Sequence, residues 1–457
     1  MHSPLQAALA AHRFGLGEPA LSLLGLDARG WLLAQIGPAD AQRGTDLPSA
    51  SRGLQLQAQA RQRVEDYREA LRAGIIADQR ARLATAASTQ RPFAERLALF
   101  WTNHFTVSLA KGSARGLVGA FEREAIRPHI AGRFADLLTA STTHPAMLRY
   151  LDNHLSAGPQ SRVVQRLARR SRVDASMEAP RLTGMNENLA REVLELHTLG
   201  ATDAGGAYGP WGGYTQADVL AFAAVLTGWR GAGPGPDGAV NSFVANWHEP
   251  GAKTLLGRRY AEGPQALEAV LQDLSRHPST ARFIATKLAR HFVADAPPPA
   301  LVDRLATAFK RSDGDLPTLY RALLDAPEAW APQPAKLKTP EEFVVSAARL
   351  LRLGERVASR APDAGLAALG QRLHAAPSPA GWPDRAEDWL GPQALWQRIE
   401  WASRVAERLG STIDARQLAE ASLGPLLGAA SRQQIERASD APQALALLLM
   451  APEFQRR

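Results

Sequence analysis

The sequence predicts an all-α protein, a multi-helix globular bundle with long glycine- and proline-rich loops and at most a small β-hairpin. Apolar residues recur at three- and four-residue spacing along most of the 457-residue chain, which is the pattern of amphipathic helices. Strand patterns are rare, and only Asn241–Ala245 with Thr254–Leu256 indicates a hairpin. No fixed-period repeat is present, which argues against a solenoid.

Individual helices are predicted from this periodicity and from their start signals. Thr215 with Asp218 forms a capping-box pattern before Val219–Trp229, and Pro340 after Thr339 suits a first helical turn. The other clearly periodic stretches are Val64–Leu83, Pro92–Val107, Ala120–Thr139, Gly263–Arg276, Ser279–Val293, Ala300–Arg311, Leu316–Asp325, Pro340–Leu353 and Leu395–Leu409.

Loops and a domain boundary are predicted from composition. Glycine and proline cluster at Gly205–Gly213 and Gly231–Gly238, which indicates two long loops. We expect a main helical domain over residues 1–334 and a carboxy-terminal helical lobe over residues 335–457, packed on the first.

Composition excludes several classes of function. The chain has no cysteine, so it has no disulfide framework, no thiolate metal site and no cysteine nucleophile. Its 53 basic and 45 acidic residues leave a formal charge of +8. That excess predicts non-specific affinity for polyanions, but no reading motif indicates specific binding to nucleic acid. Nucleotide loops, dinucleotide fingerprints, HExxH and nucleophile elbows are also missing from the sequence.

Location is predicted from the absence of two further signals. The amino terminus lacks a basic region followed by an apolar region, which a secretory signal needs. No apolar run approaches the roughly 18–20 residues of a membrane-spanning helix. We therefore expect a cytoplasmic protein without a membrane span, and a periplasmic one if a leader has been removed.

The most informative helix is Asn186–Gly200, NENLAREVLELHTLG. At roughly 100° per residue, one arc is apolar and holds Leu189, Ala190, Val193, Leu194 and Leu196. The other arc is polar and holds Glu187, Asn188, Arg191, Glu192 and Glu195. His197 falls within the apolar arc, about 160° from Glu195, so these two side chains cannot share one metal ion.

Glu192 and Glu195 lie three residues apart on the polar arc. They can converge on a metal or act as acid and base. The alternative is a solvated helix face, since Glu187, Arg191 and Glu195 form a ladder of alternating charge.

Three other segments offer candidate site residues. Trp101, Asn103 and His104 end a strongly apolar helix, where a histidine is either a core residue or a general base. Asp152 and Asn153 follow a helical pattern, so a ligand site and local capping both explain them.

His248 and Lys253 occupy a loop after a glycine-rich stretch, where a site and a solvated turn are both open. The basic run from Arg162 to Arg172 is either a solvated insertion or a contact for an acidic polymer. Lys287, in FIATKLARHF, is interpreted as an ordinary helix charge.

Together, the landmarks resemble the bacterial family known as domain of unknown function 1800. They are HRFGLG (His12–Gly17), ERLALFWTNHF (Glu95–Phe105), PAMLRYLDN (Pro145–Asn153), NENLAREVLELHTLG (Asn186–Gly200), GYTQADV (Gly213–Val219), LTGW (Leu226–Trp229), HEPGAKTLLG (His248–Gly257), HPSTARFIATKLARHFVAD (His277–Asp295) and GWPD (Gly381–Asp384). This sequence departs from the family pattern at an insertion, Gln160–Gly184, and at a lengthened loop, Asp203–Trp211.

The resemblance implies an all-helical bacterial protein with a shared polar cleft. Members are often encoded beside a sulfatase-like protein, and some carry export signals, which points to a polar polymer outside the cytoplasm. The implied catalytic residues are Glu192, Glu195, His104 and His248. The implied substrate-binding residues are Asn103, Asp152, Asn153, Asn186, Glu187, Asn188, Arg191, Lys253 and Trp101.

Two functions compete on this basis. The first is a hydrolase or lyase acting on a polar polymer such as a polysaccharide, with cofactors unknown and a divalent metal left open. The second is a non-catalytic binding or scaffold protein for an envelope partner, such as the sulfatase-like protein. A polyanion-binding module that uses the arginine insertion is a third, weaker hypothesis.

Overall fold

The computed structural model describes residues 3–61, 66–173, 184–200, 213–231 and 243–457. Within these ranges the chain folds into helices and one two-stranded antiparallel sheet. The prediction of an all-α architecture with a single small hairpin is confirmed. Among these residues, no helix is both long and apolar enough to cross a membrane.

The amino-terminal half contains eleven of the α-helices in the described residues. They are α1 (Pro4–Leu9), α2 (Ala28–Leu33), α3 (Ala50–Arg61), α4 (Tyr67–Ser88), α5 (Pro92–His104), α6 (Val118–Phe121), α7 (Phe134–Thr143), α8 (Pro145–Tyr150), α9 (Arg162–Val173), α10 (Asn188–Glu192) and α11 (Gln216–Leu226). A π-helical turn, Val193–Thr198, continues α10.

The hairpin and ten further α-helices follow in the described residues. They are β1 (Lys253–Leu255), β2 (Arg258–Tyr260), α12 (Gln265–Arg276), α13 (Pro278–Phe292), α14 (Pro299–Arg311), α15 (Leu316–Asp325), α16 (Pro340–Leu350), α17 (Pro392–Leu409), α18 (Ala415–Ser422), α19 (Ala429–Glu436), α20 (Ala441–Met450) and α21 (Pro452–Gln455). Both predicted start signals hold, because Thr215 and Thr339 each form a capping box with the third residue of α11 and α16.

One predicted helix is wrong. The stretch 120–139 is not continuous: α6 passes into a π-helical turn and a 3-10 turn, and α7 starts only at Phe134. Pro128 and Gly132 lie in the break, where a proline removes a backbone donor and a glycine adds freedom. The break lets Glu122 and Arg127 turn into the core, where both are buried.

The predicted hairpin partner is also wrong. β1 pairs with β2, with Leu255 opposite Arg258. Leu256 and Gly257 both have positive φ (50° and 76°), which is the two-residue turn that matches strand twist. Phe243 instead forms a bridge with Trp229, and residues 241–242 lie outside the described ranges.

Two large clusters of buried apolar side chains form the core. The first extends from Ala10 to Ala329, and the second runs mainly from Phe343 to Phe454. The second cluster also contains Leu16, Leu83 and Ala86 from the amino-terminal half. The division near residue 335 stays a proposal, and these residues show how closely its two sides interlock.

Buried ion pairs join the two clusters. Arg82 contacts Glu122 and, from the other side, Glu341 of α16, with nitrogen–oxygen distances of 2.5 Å to each. Arg96 of α5 contacts Glu342 of α16 at 2.6 Å. A buried ion pair adds little net stability, because both charges lose their hydration. Removing one partner is strongly destabilising, because the other charge is then buried without a counter-charge.

Candidate functional site

The predicted helix Asn186–Gly200 consists of α10 followed by a wider π-helical turn. Asn186 Oδ1 accepts a hydrogen bond from the backbone N–H of Asn188 at 2.8 Å, so Asn186 stabilises the start of α10. At the other end, Leu199 N–H donates to Leu194 O at 2.8 Å, five residues back. Single π-helical turns of this kind occur frequently at functional sites.

The two faces of this helix match the angular projection, with one exception. The side chains of Leu189, Ala190, Val193, Leu194 and His197 are buried. Arg191, Glu192 and Glu195 are partly exposed. Leu196, expected on the apolar side, is also only half-buried, because the wider π turn changes the angle between successive residues.

Glu192 and Glu195 form a carboxylate pair on the partly exposed face. Burial and the neighbouring charge of Glu195 raise the pKa of Glu192 to about 7, and Arg191 offsets part of this shift. Burial and the charge of Glu192 raise the pKa of Tyr150, the last residue of α8, to about 12. Glu192 therefore gains and loses its proton near neutral pH.

Arg191 and Glu187 bind each other rather than standing free. Arg191 Nη2 lies 2.9 Å from Glu187 Oε2, and that oxygen also accepts a hydrogen bond from Gln216 Nε2 at 2.7 Å. Gln216 is the first residue of α11, so this cluster fastens α10 to α11. A substrate anion would have to compete with Glu187 for the guanidinium.

Asp152 and Asn153 have separate roles in the fold. Asp152 adopts a left-handed conformation (φ 59°) and forms an ion pair with Lys111. Asn153 is fully buried, and its Nδ2 donates to the carbonyls of Leu226 (3.1 Å) and Trp229 (2.8 Å). Asn153 thus ties the LDN landmark to the LTGW landmark.

His248, in the loop before β1, and Lys253, the first residue of β1, form a buried pair. His248 Nδ1 donates to the carbonyl of Thr227 at 2.8 Å, and Lys253 Nζ donates to His248 Nε2 at 3.1 Å. Lys253 Nζ also donates to the carbonyl of Glu249. Burial lowers the pKa of both side chains, so the imidazole is neutral and both of its nitrogens are engaged.

The end of α5 places its three candidates differently. Trp101 is fully buried, and its Nε1 donates to the hydroxyl of Tyr320 at 2.7 Å. Asn103 makes a paired amide contact with the backbone of Trp382, through Nδ2 to O (2.9 Å) and N–H to Oδ1 (2.8 Å). His104 Nε2 lies 3.1 Å from the carbonyl of His197.

A cavity of about 100 Å³ lies where α5 meets α13, α16 and the GWPD loop. Its lining includes Asn103, His104, Lys287, His291 and Asp384. Within the described residues, His104 Nδ1 and His291 Nε2 are buried without a hydrogen-bond partner. Burial keeps the pKa of both histidines well below the usual value, so both are neutral.

Lys287 is the residue that sequence reasoning undervalued at this cavity. Burial lowers the pKa of its ammonium, and the charge of Asp384 opposes that shift. A lysine in an amphipathic helix looks like any surface charge, so only the position of α13 shows that it faces the cavity. The landmarks TKLARHF and GWPD were the available signal, because each contributes lining residues.

The candidates therefore divide among three places. Glu192 and Glu195 lie on the partly exposed face of α10 and its π turn, with Tyr150 beside them. His104 and Asn103 line the cavity beside α5, and neither glutamate does. His248 and Lys253 form the third place. In the described ranges no three His, Cys, Asp or Glu side chains converge as a metal site.

Comparison with known families shows to which family the chain belongs. The family model described as "Protein of unknown function (DUF1800)" matches residues 9–456. The chain belongs to the DUF1800 family. No curated protein and no solved structure matches the chain. Two insertions relative to the family pattern are predicted from the sequence of this DUF1800 member. The first, 160–184, contains α9, but its residues 174–183 lie outside the described ranges. The second, 203–211, lies entirely outside them.

Proposed function

We propose that this DUF1800 protein is an acid/base hydrolase or lyase acting on a polar polymer such as a polysaccharide. Glu192 is the proton donor, and Glu195 is the second carboxyl of the pair. The observation that carries the proposal is the Glu192 carboxyl, whose pKa is raised to about 7 one helical turn from Glu195. A carboxyl whose environment raises its pKa, close in sequence to a second carboxyl, is a common basis for acid/base chemistry.

The position of the pair supports these roles. A general acid works best when its pKa is close to the working pH, and Glu192 meets that condition. The phenol of Tyr150 stays protonated at neutral pH because its pKa is about 12. The charge of Glu192 also contributes to this raised pKa. Because the pair lies on a partly exposed face, an extended chain can reach it more readily than it can reach the cavity beside α5.

His104 and His248 are not needed in this mechanism. Both are buried, and each uses at least one ring nitrogen on a backbone carbonyl. The catalytic role that the family resemblance implies for these histidines is assigned to Glu192 and Glu195 alone in this proposal. We retain them as residues that position the surrounding segments.

The proposal is tested with Glu192→Gln and Glu195→Gln in a screen of neutral and anionic polysaccharides. We expect each substitution to lower turnover by roughly 10²–10⁴-fold, the usual contribution of general acid/base catalysis. New reducing ends without ultraviolet absorbance indicate hydrolysis, and an unsaturated product indicates a lyase. Glu268→Gln, at an exposed position of α12, is the control. Full activity in both glutamine variants would refute these roles.

Glu192 also makes a separate prediction about stability. Its folded-state pKa of about 7 lies above the ordinary value of 4.5, so the folded state holds this proton more tightly than the unfolded state does. The related stability is complete below pH 4.5 and is lost as pH rises through 7. Glu192→Gln removes this loss. We expect the variant to have a higher melting temperature than the parent at pH 8 and little difference at pH 4.5.

The stability measurement is independent of any substrate. A melting difference between parent and Glu192→Gln that does not change from pH 4.5 to pH 8 would show that the carboxyl is not perturbed. Glu268→Gln serves again as the control, and its melting difference should be independent of pH.

The alternative is a non-catalytic binding or scaffold protein for an envelope partner, such as a sulfatase-like protein. One observation favours it: Asn103, Asn153 and His248 direct their polar atoms to backbone groups of their own chain. In that case the landmarks preserve shape and not chemistry. Recovery of a stable complex with the sulfatase-like protein, unaffected by Glu192→Gln and without polymer turnover, would favour this alternative.

A further inference from the structure

The second core contains an apolar groove that no step of the proposed function uses. It lies between α17 and the segment 351–368, with α16 beneath, and has a volume of about 440 Å³. That size falls within the usual range for small-molecule pockets, roughly 300–1,000 Å³. Val344, Ala347 and Leu351 form the floor, and Val405 and Leu409 form one wall.

The charged residues that line the groove are all arginines. Arg356 and Arg360 belong to one wall, and Arg404 and Arg408 belong to the other. The lining residues include no carboxylate. All four arginines are exposed. Arg356 donates hydrogen bonds to the carbonyls of Leu353 (3.5 Å) and Arg352 (3.4 Å), and Arg404 donates to the carbonyl of Glu400 (3.3 Å).

The like charges of these arginines repel one another slightly. Arg404 and Arg408 are four residues apart on α17, and like charges at that spacing destabilise a helix. Glu400 lies 3.9 Å from Arg404, which is a weak and solvent-exposed contact. An anion between the two walls would be attracted by guanidinium groups from both.

We propose that the groove binds a single-chain anionic amphiphile, a long-chain carboxylate. The acyl chain occupies the apolar groove, and the carboxylate lies among the four arginines. Guanidinium groups bind carboxylates strongly because two N–H donors match two oxygens. A polar polymer would leave the apolar floor unused, and a neutral lipid would leave the arginines unused.

The test uses the full chain and three free carboxylates: octanoate, dodecanoate and hexadecanoate, measured by calorimetric titration. Each added methylene strengthens binding by up to about fourfold while the chain still fits the groove. Dodecanol, which has the same chain length without the charge, should bind at least about tenfold more weakly than dodecanoate.

Two sets of variants separate charge from apolar contact. Arg404→Gln with Arg408→Gln should weaken dodecanoate binding by at least about tenfold. Arg311→Gln with Arg437→Gln, exposed arginines away from the groove, removes the same charge and should leave binding unchanged. Ala368→Trp, at an exposed lining position, should block the chain and abolish binding.

Several results would overturn the proposal. They are no binding of dodecanoate below its aggregation limit, equal binding of dodecanoate and dodecanol, or equal losses in the two arginine pairs. Capture by phosphatidylglycerol vesicles without binding of free dodecanoate would also overturn it, because the surface would then recognise a membrane.

Discussion

Glu342→Gln is expected to lower the free energy of unfolding by about 3–5 kcal/mol, the usual cost of leaving buried charges without their partner. Glu342 of α16 lies 2.6 Å from Arg96 and 2.8 Å from Arg457, and Arg96 is 1% exposed. Lys338 is fully buried and has no hydrogen-bond partner among the described residues. Burial lowers the pKa of its amine, and the charge of Glu342 opposes that shift. The substitution keeps the side chain's size and removes its charge.

Urea unfolding at neutral pH measures the loss. Glu400→Gln is the control, because its contact with Arg404 is exposed and should be worth about 0–1 kcal/mol. Lys338→Met in the Glu342→Gln background should recover part of the loss, since it removes a buried amine that has no hydrogen-bond partner among the described residues. Equal midpoints for the Glu342→Gln variant and the parent would show that the cations do not depend on this carboxylate.

The ion pairs of Glu342 also make the free energy of unfolding depend on pH. The charges of Arg457 and Arg96 outweigh burial and hold the pKa of Glu342 well below its ordinary value of 4.5. A depressed folded-state pKa contributes stability that is present above 4.5 and lost as pH falls through the folded value. The parent should therefore lose more stability in acid than the Glu342→Gln variant does.

Gly381→Ala is expected to cost about 2–5 kcal/mol of stability, combining backbone strain with overpacking. Gly381, which opens the GWPD loop, has φ of 89°. A Cβ there would lie 2.5 Å from the backbone oxygen of Asn103 and 2.8 Å from Thr106 Oγ1. The loop would have to move away from α5, which would break the paired contact between Asn103 and Trp382.

Gly370→Ala separates the two contributions. Gly370 has nearly the same φ, 87°, but no atom lies within 4 Å of its added Cβ. It should therefore show only the dihedral cost, about 1–3 kcal/mol. Equal losses of stability for Gly381→Ala and Gly370→Ala in thermal unfolding would show that the close contact between the GWPD loop and α5 adds nothing to the cost of Gly381→Ala.

Helices with a continuous apolar stripe could be predicted from sequence, and those shaped by distant contacts could not. The periodicity of α13 and α14 identifies their buried faces directly, because each helix packs on the first core through one stripe. The break between α6 and α7 accompanies the burial of Arg127, which forms ion pairs with Glu95 and Glu122. Nothing local in the sequence indicates that an arginine and two glutamates will be buried together.

The same limit applies to the candidate site. The angular projection separated Glu192 and Glu195 from His197, since helix geometry is local. It could not show that Tyr150 lies beside Glu192, because that depends on how α8 packs. Nor could it show that the polar residues of the landmarks divide among three places, since a one-dimensional pattern carries no information about which loops meet.

The interlocking of the two cores has a consequence for how the chain folds during synthesis. His12 Nε2 lies 2.8 Å from the carbonyl of Ser422, a contact between residues 410 positions apart. Leu16, Leu83 and Ala86 likewise complete a cluster whose other members follow residue 342. During synthesis these residues remain exposed until the later helices that cover them have left the ribosome. Long-range closure of this kind slows folding and favours protection by chaperones in the interval.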